Sequence, residues 1–399
     1  MINSRVLFAK LFSVQVITVL LSLGTSIIWT RYFSKEVYGQ YQLVLSIFSM
    51  VGVTALTGMG QALQISSAKQ YDGNFIPICF RKVLFSIIGS LILLGFAYYY
   101  SEQIEVCYAL GLLALVFPLI QFHSVFQPWL NGKKSFNLLV ASQISFAIIP
   151  LLSLLSLLAL AKTDLLSIVF TTSILKIFLI CGFGFFVFKG LKNSIKNSKT
   201  ITYGYHTTTA MLFGWMIATD KLFLEKNGTL EDVAVYSVAL LFPNQITVFY
   251  SCINQMIIPH ITEASSVREA WKYLKPRYFK IIFLFVFIGG IGFYIFPIII
   301  PLLFSQKYVD AVPYAKWLWL TLAITAPATF LGNILRAQKV KSFVYFLEIF
   351  NPLLLLFLFV FLSKYGIIGL VTAKGVYYIS AFFIILFFFN YHYKKRMHL

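Results

Sequence analysis

Charged and apolar residues alternate along this chain in a regular order, and that order constrains the fold most. Twelve apolar stretches lie near residues 9–30, 40–63, 83–100, 104–126, 138–161, 165–188, 205–222, 233–259, 279–303, 309–335, 342–363 and 366–391. A helix needs about 20 residues to cross a hydrocarbon core, and each stretch is close to or above that length. With edge charges counted in the adjoining loops, the termini and the gaps after even-numbered stretches hold 22 of the 32 basic residues. Because Lys and Arg are retained on the cytoplasmic side during insertion, the pattern predicts twelve crossings with both termini in the cytoplasm.

Composition predicts the same class of protein independently. The chain is 59% hydrophobic with a mean hydropathy of +0.85, and 11% of its residues are charged, against about 25% in globular proteins. Unbroken apolar runs such as 281–303 and 353–362 lack the alternation of a barrel strand. The fold class expected is therefore an all-α polytopic membrane protein. The net charge of +19 lies in short loops, where topology and anionic lipids explain it, so we expect membrane lipids as partners and no nucleic acid.

Two short sequence similarities indicate that the chain contains an internal repeat. Tyr41 and Tyr236 each follow an acidic turn near the start of a helix, and they are 195 residues apart. Lys134-Ser135-Phe136 recurs as Lys341-Ser342-Phe343, 207 residues further on. The similar offsets predict two six-helix lobes in the same orientation, which is a common transporter plan.

The repeat predicts a division into an N-terminal lobe, residues 1–195, and a C-terminal lobe, residues 196–399. The segment 190–199 between them is polar and basic. We expect it to be a hinge that does not pack against either lobe.

Several loop segments resemble one family of membrane proteins. The strongest is the first turn, where Arg31-Tyr32-Phe33 precedes Glu36-Val37-Tyr38-Gly39-Gln40-Tyr41; weaker ones are 131–134, 335–339 and 365–370. Together they resemble the polysaccharide exporters, Wzx-type flippases for O-antigen and capsule repeat units in the multidrug/oligosaccharidyl-lipid/polysaccharide (MOP) superfamily. The resemblance covers the whole chain in length and layout.

The resemblance implies a fold like that of the MATE transporters of this superfamily and a location in the bacterial inner membrane. It implies a substrate made on the cytoplasmic face, an undecaprenyl-diphosphate-linked oligosaccharide, moved by alternating access of the two lobes. It also suggests a polysaccharide polymerase and a chain-length regulator as partners.

Basic residues inside the apolar stretches are the best candidates for substrate binding, because a charge at the centre of a membrane helix is costly. Lys176 lies at the middle of the sixth stretch, Lys374 and Lys316 lie deep in the twelfth and tenth, and Arg31 ends the first. They are interpreted as a cationic cavity for an anionic diphosphate. The alternative is that their stems reach the interface, which suits Arg31 and Lys316 better than Lys176.

Polar residues in other stretches give further candidates. Glu348 and Asp220 are interpreted as groups that couple transport to protons or sodium, since burial and a nearby Lys shift a carboxyl pKa in opposite directions. The alternative for Glu348 is a structural ion pair with a Lys of another helix, and for Asp220 solvation beside Lys221. Asn254 and Gln255 in the eighth stretch either line the cavity or join helices by hydrogen bonds.

Other function classes find less support in the sequence. The five His show no metal-ligand spacing, and no nucleotide-binding or catalytic motif occurs, so we expect no metal, no cofactor and no enzymatic activity. A multidrug exporter or a peptidoglycan-precursor exporter of the same superfamily remains an alternative. A membrane glycosyltransferase or polymerase would need catalytic carboxylates on a large external loop, which the sequence lacks.

Overall fold

The computed structural model describes residues 4–264, 266–338 and 340–395, and nearly all of these are helical. The described α-helices are α1 Ser4–Tyr32, α2 Lys35–Val51, α3 Met59–Ala68, α4 Phe75–Tyr99, α5 Ile104–Gly132, α6 Phe136–Ala159, α7 Leu165–Lys189, α8 Ser198–Ala210, α9 Asp220–Asn227, α10 Leu230–Glu263, α11 Val267–Phe304, α12 Ala311–Ala337, α13 Lys341–Tyr345, α14 Asn351–Leu362 and α15 Gly366–Lys395. A 3-10 helix, Leu212–Thr219, precedes α9, and a π-helix, Phe346–Phe350, joins α13 to α14.

Side-chain caps define where several of these helices begin. Ser34, Asp164, Asn197, Thr229 and Ser266 precede α2, α7, α8, α10 and α11, and each accepts a hydrogen bond from a backbone N–H of the first turn. Such caps satisfy donors that have no partner within the helix. The polar residues between the apolar stretches thus set the helix boundaries.

Eight segments of the described residues are helical, long and apolar enough to cross a membrane. They are Phe12–Tyr32, Asp72–Tyr99, Ile104–Gly132, Phe136–Ala159, Leu165–Lys189, Val267–Phe304, Ala311–Ala337 and Lys341–Lys394. A ninth is added if α2 and α3, bent by 56° at their junction, form one span. The last segment has 54 residues and is interrupted between α14 and α15, so it has the length for two crossings. The described part of the chain is therefore an all-helical, multi-pass membrane protein; twelve crossings and cytoplasmic termini remain predictions.

The chain divides into two compact units, Met1–Thr219 and Asp220–Leu399. In the first unit α5 packs against α3, α4 and α7, and α1 packs against α6. Aromatic rings fill the space around α5: Phe75 meets Trp129 edge-on at 4.8 Å between ring centroids, and both are buried. The predicted boundary at residues 195 and 196 remains a prediction, while α8 and the 3-10 helix Leu212–Thr219 belong to the first unit.

The second apolar stretch is not one straight helix, because the chain breaks between α2 and α3. Leu56 adopts a left-handed φ of 53°, and the Nζ of Lys82 donates to the carbonyls of Ala55 at 2.8 Å and Leu56 at 3.2 Å. A broken helix leaves carbonyls without intrahelical partners, and in a membrane they must be paired within the protein. Lys82 precedes the apolar stretch near 83–100, yet it lies buried within α4. Its hydrogen bonds to the broken helix offset the cost of its burial.

Helix α8, which contains the first part of the seventh apolar stretch, packs against the same break. A β-carbon at Gly58 would overlap the backbone of Thr207 and Thr208, so α8 can approach only because this residue has no side chain. The Thr207 hydroxyl donates to the Gly58 carbonyl at 3.1 Å. The seventh stretch itself continues through the 3-10 helix into α9, which makes it a broken element rather than one continuous helix.

The segment 190–199 packs against the first unit, so the prediction of an unpacked hinge is wrong. The buried carboxylate of Asp72 accepts a hydrogen bond from the backbone N–H of Lys192 at 2.8 Å and pairs with Lys133 at 2.5 Å. Asn197 donates its backbone N–H to the side chain of Asn74 at 2.9 Å. Polar residues in a linker indicate solvation when only the sequence is considered, whereas here they bond to a buried acid and a buried amide.

In the second unit α12 is the central helix and packs against α10, α11 and α15. Its buried face is rich in alanine, and small residues let membrane helices approach closely. At the contact with α11, a β-carbon at Gly292 would overlap the indole of Trp319. The indole N–H donates to the Ile288 carbonyl at 3.0 Å, so the absence of a side chain at residue 292 positions Trp319 against α11.

Candidate functional site

Lys374 and Asp220 form a buried ion pair in the second unit. The Nζ of Lys374 on α15 lies 2.5 Å from Oδ2 of Asp220 at the start of α9, and the two residues are 7% and 4% exposed. Tyr236 donates its hydroxyl to the same carboxylate oxygen at 3.1 Å, and the backbone N–H of Lys221 donates to the other at 2.9 Å. Both charges are therefore compensated within the protein, and Asp220 is buried rather than solvated beside Lys221.

Lys176 on α7 has no such partner in the part of the chain that the structure describes. It lines a cavity of about 30 Å³ together with Tyr41, Thr172 and Ser173, and it takes part in none of the ion pairs of the described residues. His123 interacts with it electrostatically, and the Nε2 atom of His123 is buried without a hydrogen-bond partner among the described residues. The cavity has room for a water molecule but not for a diphosphate.

The internal repeat relates these two sites. Tyr41 and Tyr236 are 195 residues apart, and Lys176 and Lys374 are 198 apart. Tyr41 lines the cavity of Lys176, and Lys374 lies 5.5 Å from the ring centroid of Tyr236. Each unit thus holds a Tyr near the start of one helix close to a Lys within another.

The two sites differ because, among the described residues, only the second has a carboxylate beside its Lys. At the offset of 195 residues, the position that corresponds to Asp220 is Thr25. The Thr25 hydroxyl is buried and donates to the Leu21 carbonyl of its own helix at 2.8 Å. The first unit therefore keeps the Lys of the repeat but lacks the carboxylate that neutralises it in the second.

Lys316 and Arg31 occupy different surroundings from Lys176 and Lys374. The Nζ of Lys316 on α12 lies 4.1 Å from the ring centroid of Phe293, which is a cation–π contact. Arg31 is exposed at the end of α1. The side chains of Asn254 and Gln255 lie outside the described residues, and their proposed roles stay predictions.

Glu348 lies on the π-helix and pairs with an arginine rather than a lysine. Its Oε1 is 2.6 Å from Nη2 of Arg336, near the end of α12, and the two side chains are 36% and 47% exposed. Both line a cavity of about 510 Å³ in the second unit, together with Tyr377 and Tyr378 of α15. Arg336 was assigned to a loop on sequence, and no local signal pairs it with Glu348.

The structure therefore does not bring four of the candidates together in one site. Asp220 and Lys374 neutralise each other in the second unit, and Glu348 lies with Arg336 in a separate cavity of that unit. Lys176 belongs to the first unit. Sequence reasoning missed Lys82 and Arg336, because their partners come from helices distant along the chain.

Comparison with known proteins adds the family and the fold. Residues 28–313 match the family described as "Polysaccharide biosynthesis protein". The chain belongs to this family. Comparison by sequence with curated proteins finds no match.

Solved structures with the same fold come from the MOP superfamily. An inward-facing multidrug resistance MATE family transporter has a TM-score of 0.74 at 13% identity, over 95% of this chain and 96% of its own. The lipid II flippase MurJ in an inward closed conformation has a TM-score of 0.73 at 14% identity, over 94% of this chain and 87% of its own. A MOP superfamily transporter from Pyrococcus furiosus, described by the reverse polarity of its binding pocket, has a TM-score of 0.67 at 13% identity, over 96% and 95%. The MATE-like fold expected from the resemblance is confirmed, and these proteins are transporters and a flippase rather than enzymes.

Proposed function

We propose that this family member is a flippase that moves an undecaprenyl-diphosphate-linked oligosaccharide, an O-antigen or capsule repeat unit, across the bacterial inner membrane. Membership of the polysaccharide biosynthesis family supports a substrate from that process. The fold, shared with a lipid II flippase and with drug transporters, supports transport by alternating access. The basic loops support an orientation with both termini in the cytoplasm.

The observation that carries the proposal is Lys176, a cation within a membrane helix with no carboxylate pair among the described residues. A charge in this position is retained when its function repays the cost. A diphosphate supplies the compensating negative charge and accepts hydrogen bonds from the ammonium. Because the cavity beside Lys176 is about 30 Å³, we propose that it widens during the transport cycle to admit the head group.

The Asp220–Lys374 pair has a complementary role in this proposal. Protonation of Asp220 would neutralise the carboxylate and release the ammonium of Lys374 for the substrate anion, so proton uptake and substrate binding would be linked. Lys316 and Arg31 would add positive potential along the route. Glu348, whose charge is compensated by Arg336, is the weaker candidate for coupling.

A multidrug exporter has a similar fold but a different requirement for charge. A cationic drug needs uncompensated carboxylates, and both intramembrane candidates, Asp220 and Glu348, already have cationic partners. This charge arrangement favours an anionic substrate.

The proposal is tested by replacing Lys176 in cells that make the surface polysaccharide. A charge-assisted hydrogen bond contributes about 1.5–3 kcal/mol, so Lys176→Gln is expected to reduce export at least about tenfold, and Lys176→Arg to retain part of it. Lys189→Gln, which removes an exposed charge at the end of the same helix, is the matched control. At equal protein levels, unchanged export in Lys176→Gln would contradict the proposal.

A further inference from the structure

None of the membrane lysines is among the described residues that line the cavity of about 510 Å³ in the second unit. It is lined by residues of α10, α12, the π-helix and α15. Its volume falls within the range of about 300–1,000 Å³ that is usual for small-ligand sites. Its charged groups, Arg336 and Glu348, belong to the half of each helix that the topology predicts to face the cytoplasm.

The charge balance of this cavity favours a neutral polar ligand. The Arg336 guanidinium and the Glu348 carboxylate compensate each other at 2.6 Å, so a diphosphate would be repelled by the acid and a cationic drug by the base. Yet about half of the Arg336 side chain and a third of the Glu348 side chain remain exposed. The N–H donors of Arg336 and the carboxylate oxygens of Glu348 are therefore still accessible to a ligand that needs both donors and acceptors.

Hydroxyl-bearing walls extend this donor and acceptor set. Thr325 and Thr329 line the cavity and donate their hydroxyls to backbone carbonyls of α12, which leaves their oxygen lone pairs to accept. Tyr377 and Tyr378 present two adjacent rings with centroids 5.4 Å apart. Charged groups, hydroxyls and aromatic faces together suit a polyhydroxylated ring, whose hydroxyls donate and accept and whose C–H faces pack on aromatic rings.

The backbone marks the same place independently. Glu348 lies on the π-helix Phe346–Phe350, inside an otherwise α-helical segment. π-Helical turns are rare and occur frequently at functional sites. Glu348, on this irregular turn, is the only acid among the described residues that line the cavity.

We propose that this cavity recognises the sugars of the transported lipid, with Arg336 and Glu348 as specificity-determining residues. The inference rests on the proposed function and adds a second subsite, distinct from the diphosphate site at Lys176. The sugar subsite then decides which repeat unit is accepted, whereas the membrane lysines bind the part common to all polyprenyl diphosphates.

The test compares two lipids bound to the full-length protein in nanodiscs. One is the lipid-linked oligosaccharide purified from cells that make the polysaccharide, and the other is undecaprenyl diphosphate without sugar. We expect the wild-type protein to bind the glycosylated lipid at least tenfold more tightly, which corresponds to the contribution of one charge-assisted hydrogen bond to the sugars. Glu348→Gln should bring the ratio of the two Kd values close to one and leave the Kd of the sugar-free lipid within about twofold.

A charge-swapped double variant, Arg336→Glu with Glu348→Arg, separates recognition from folding, because it keeps an ion pair but reverses the donors and acceptors. It should keep the wild-type melting temperature and lose the discrimination between the lipids. Arg277→Gln, in which the lost guanidinium contacts Tyr273 outside the cavity, is the matched control and should discriminate as the wild type does.

Three results would count against the inference, and they differ from failure of the proposed function. Equal affinity of the wild-type protein for the two lipids, or full discrimination in Glu348→Gln or in the folded charge-swapped variant, would overturn the sugar subsite and leave the flippase proposal standing. Lys176→Gln should weaken binding of both lipids and preserve their ratio. Failure of the wild-type protein to bind either lipid would overturn the proposed function and the sugar subsite with it.

Discussion

Each partner of the ion pair between Asp220 and Lys374 should be important for stability, because both side chains are buried. The two residues are 4% and 7% exposed and their charged atoms lie 2.5 Å apart. Removing one partner of a buried pair leaves the other charge uncompensated, at a cost of about 3–5 kcal/mol. We therefore expect Asp220→Asn and Lys374→Gln each to lower the free energy of unfolding by about that amount.

The double variant Asp220→Asn with Lys374→Gln removes both charges of the pair, so it should be more stable than either single variant. The coupling energy from the four proteins should reach about 2–3 kcal/mol, measured by unfolding in mixed micelles with helicity as the signal. The Arg336 and Glu348 pair, whose side chains are 47% and 36% exposed, provides the control cycle with an expected coupling of about 0–1 kcal/mol. A coupling below about 1 kcal/mol at Asp220 and Lys374, or a double variant no more stable than the singles, would refute this reasoning.

Three further changes test separate parts of the structure. Gly292→Ala should cost about 1–3 kcal/mol by overpacking against Trp319, whereas Gly290→Ala, with open space around the new methyl group, should not destabilise; equal melting temperatures would contradict the close approach. Lys82→Met should cost about 1–3 kcal/mol, because it leaves the carbonyls of Ala55 and Leu56 unpaired, and a melting temperature at or above wild type would contradict this. Desolvation raises the pKa of Asp164, but hydrogen bonds from Ser167 lower it more, so the pKa lies below its usual value. The charged cap therefore stabilises the folded protein at pH values above the unfolded pKa of about 4. Asp164→Ala should therefore cost about 1 kcal/mol at neutral pH and progressively less as the pH falls through the folded pKa, and a cost that does not change with pH would contradict the role of the charge.

Hydropathy predicted much of the helical layout, because the length of an apolar stretch is a property of the local sequence. The stretches near 104–126 and 165–188 correspond to Ile104–Gly132 and Leu165–Lys189. The breaks were not predicted, since each depends on groups from elsewhere. Lys82 on α4 satisfies the carbonyls freed between α2 and α3, and no pattern within residues 52–58 reveals that donor.

The candidate site was predicted residue by residue but not as an arrangement. Asp220 and Lys374 were both recognised as charges inside apolar stretches, yet their pairing joins positions 154 residues apart in the sequence. The repeat supplied a partial signal, because Tyr41 and Tyr236 were matched from the sequence. Lys176 and Lys374 are 198 residues apart, close to the offset of 195 that matches Thr25 to Asp220. Comparing these positions shows that Lys176 is the lysine without an acid at the matched position.

In the proposed function, an anionic lipid head group binds to Lys176. Flipping of the purified lipid-linked oligosaccharide in proteoliposomes, followed by its accessibility to an external modifying reagent, tests it most directly. We expect the wild-type protein to move the lipid, Lys176→Gln to do so at least about tenfold more slowly, and Lys189→Gln to match the wild type. Equal rates for the wild-type and Lys176→Gln proteins would show that Lys176 does not bind the head group.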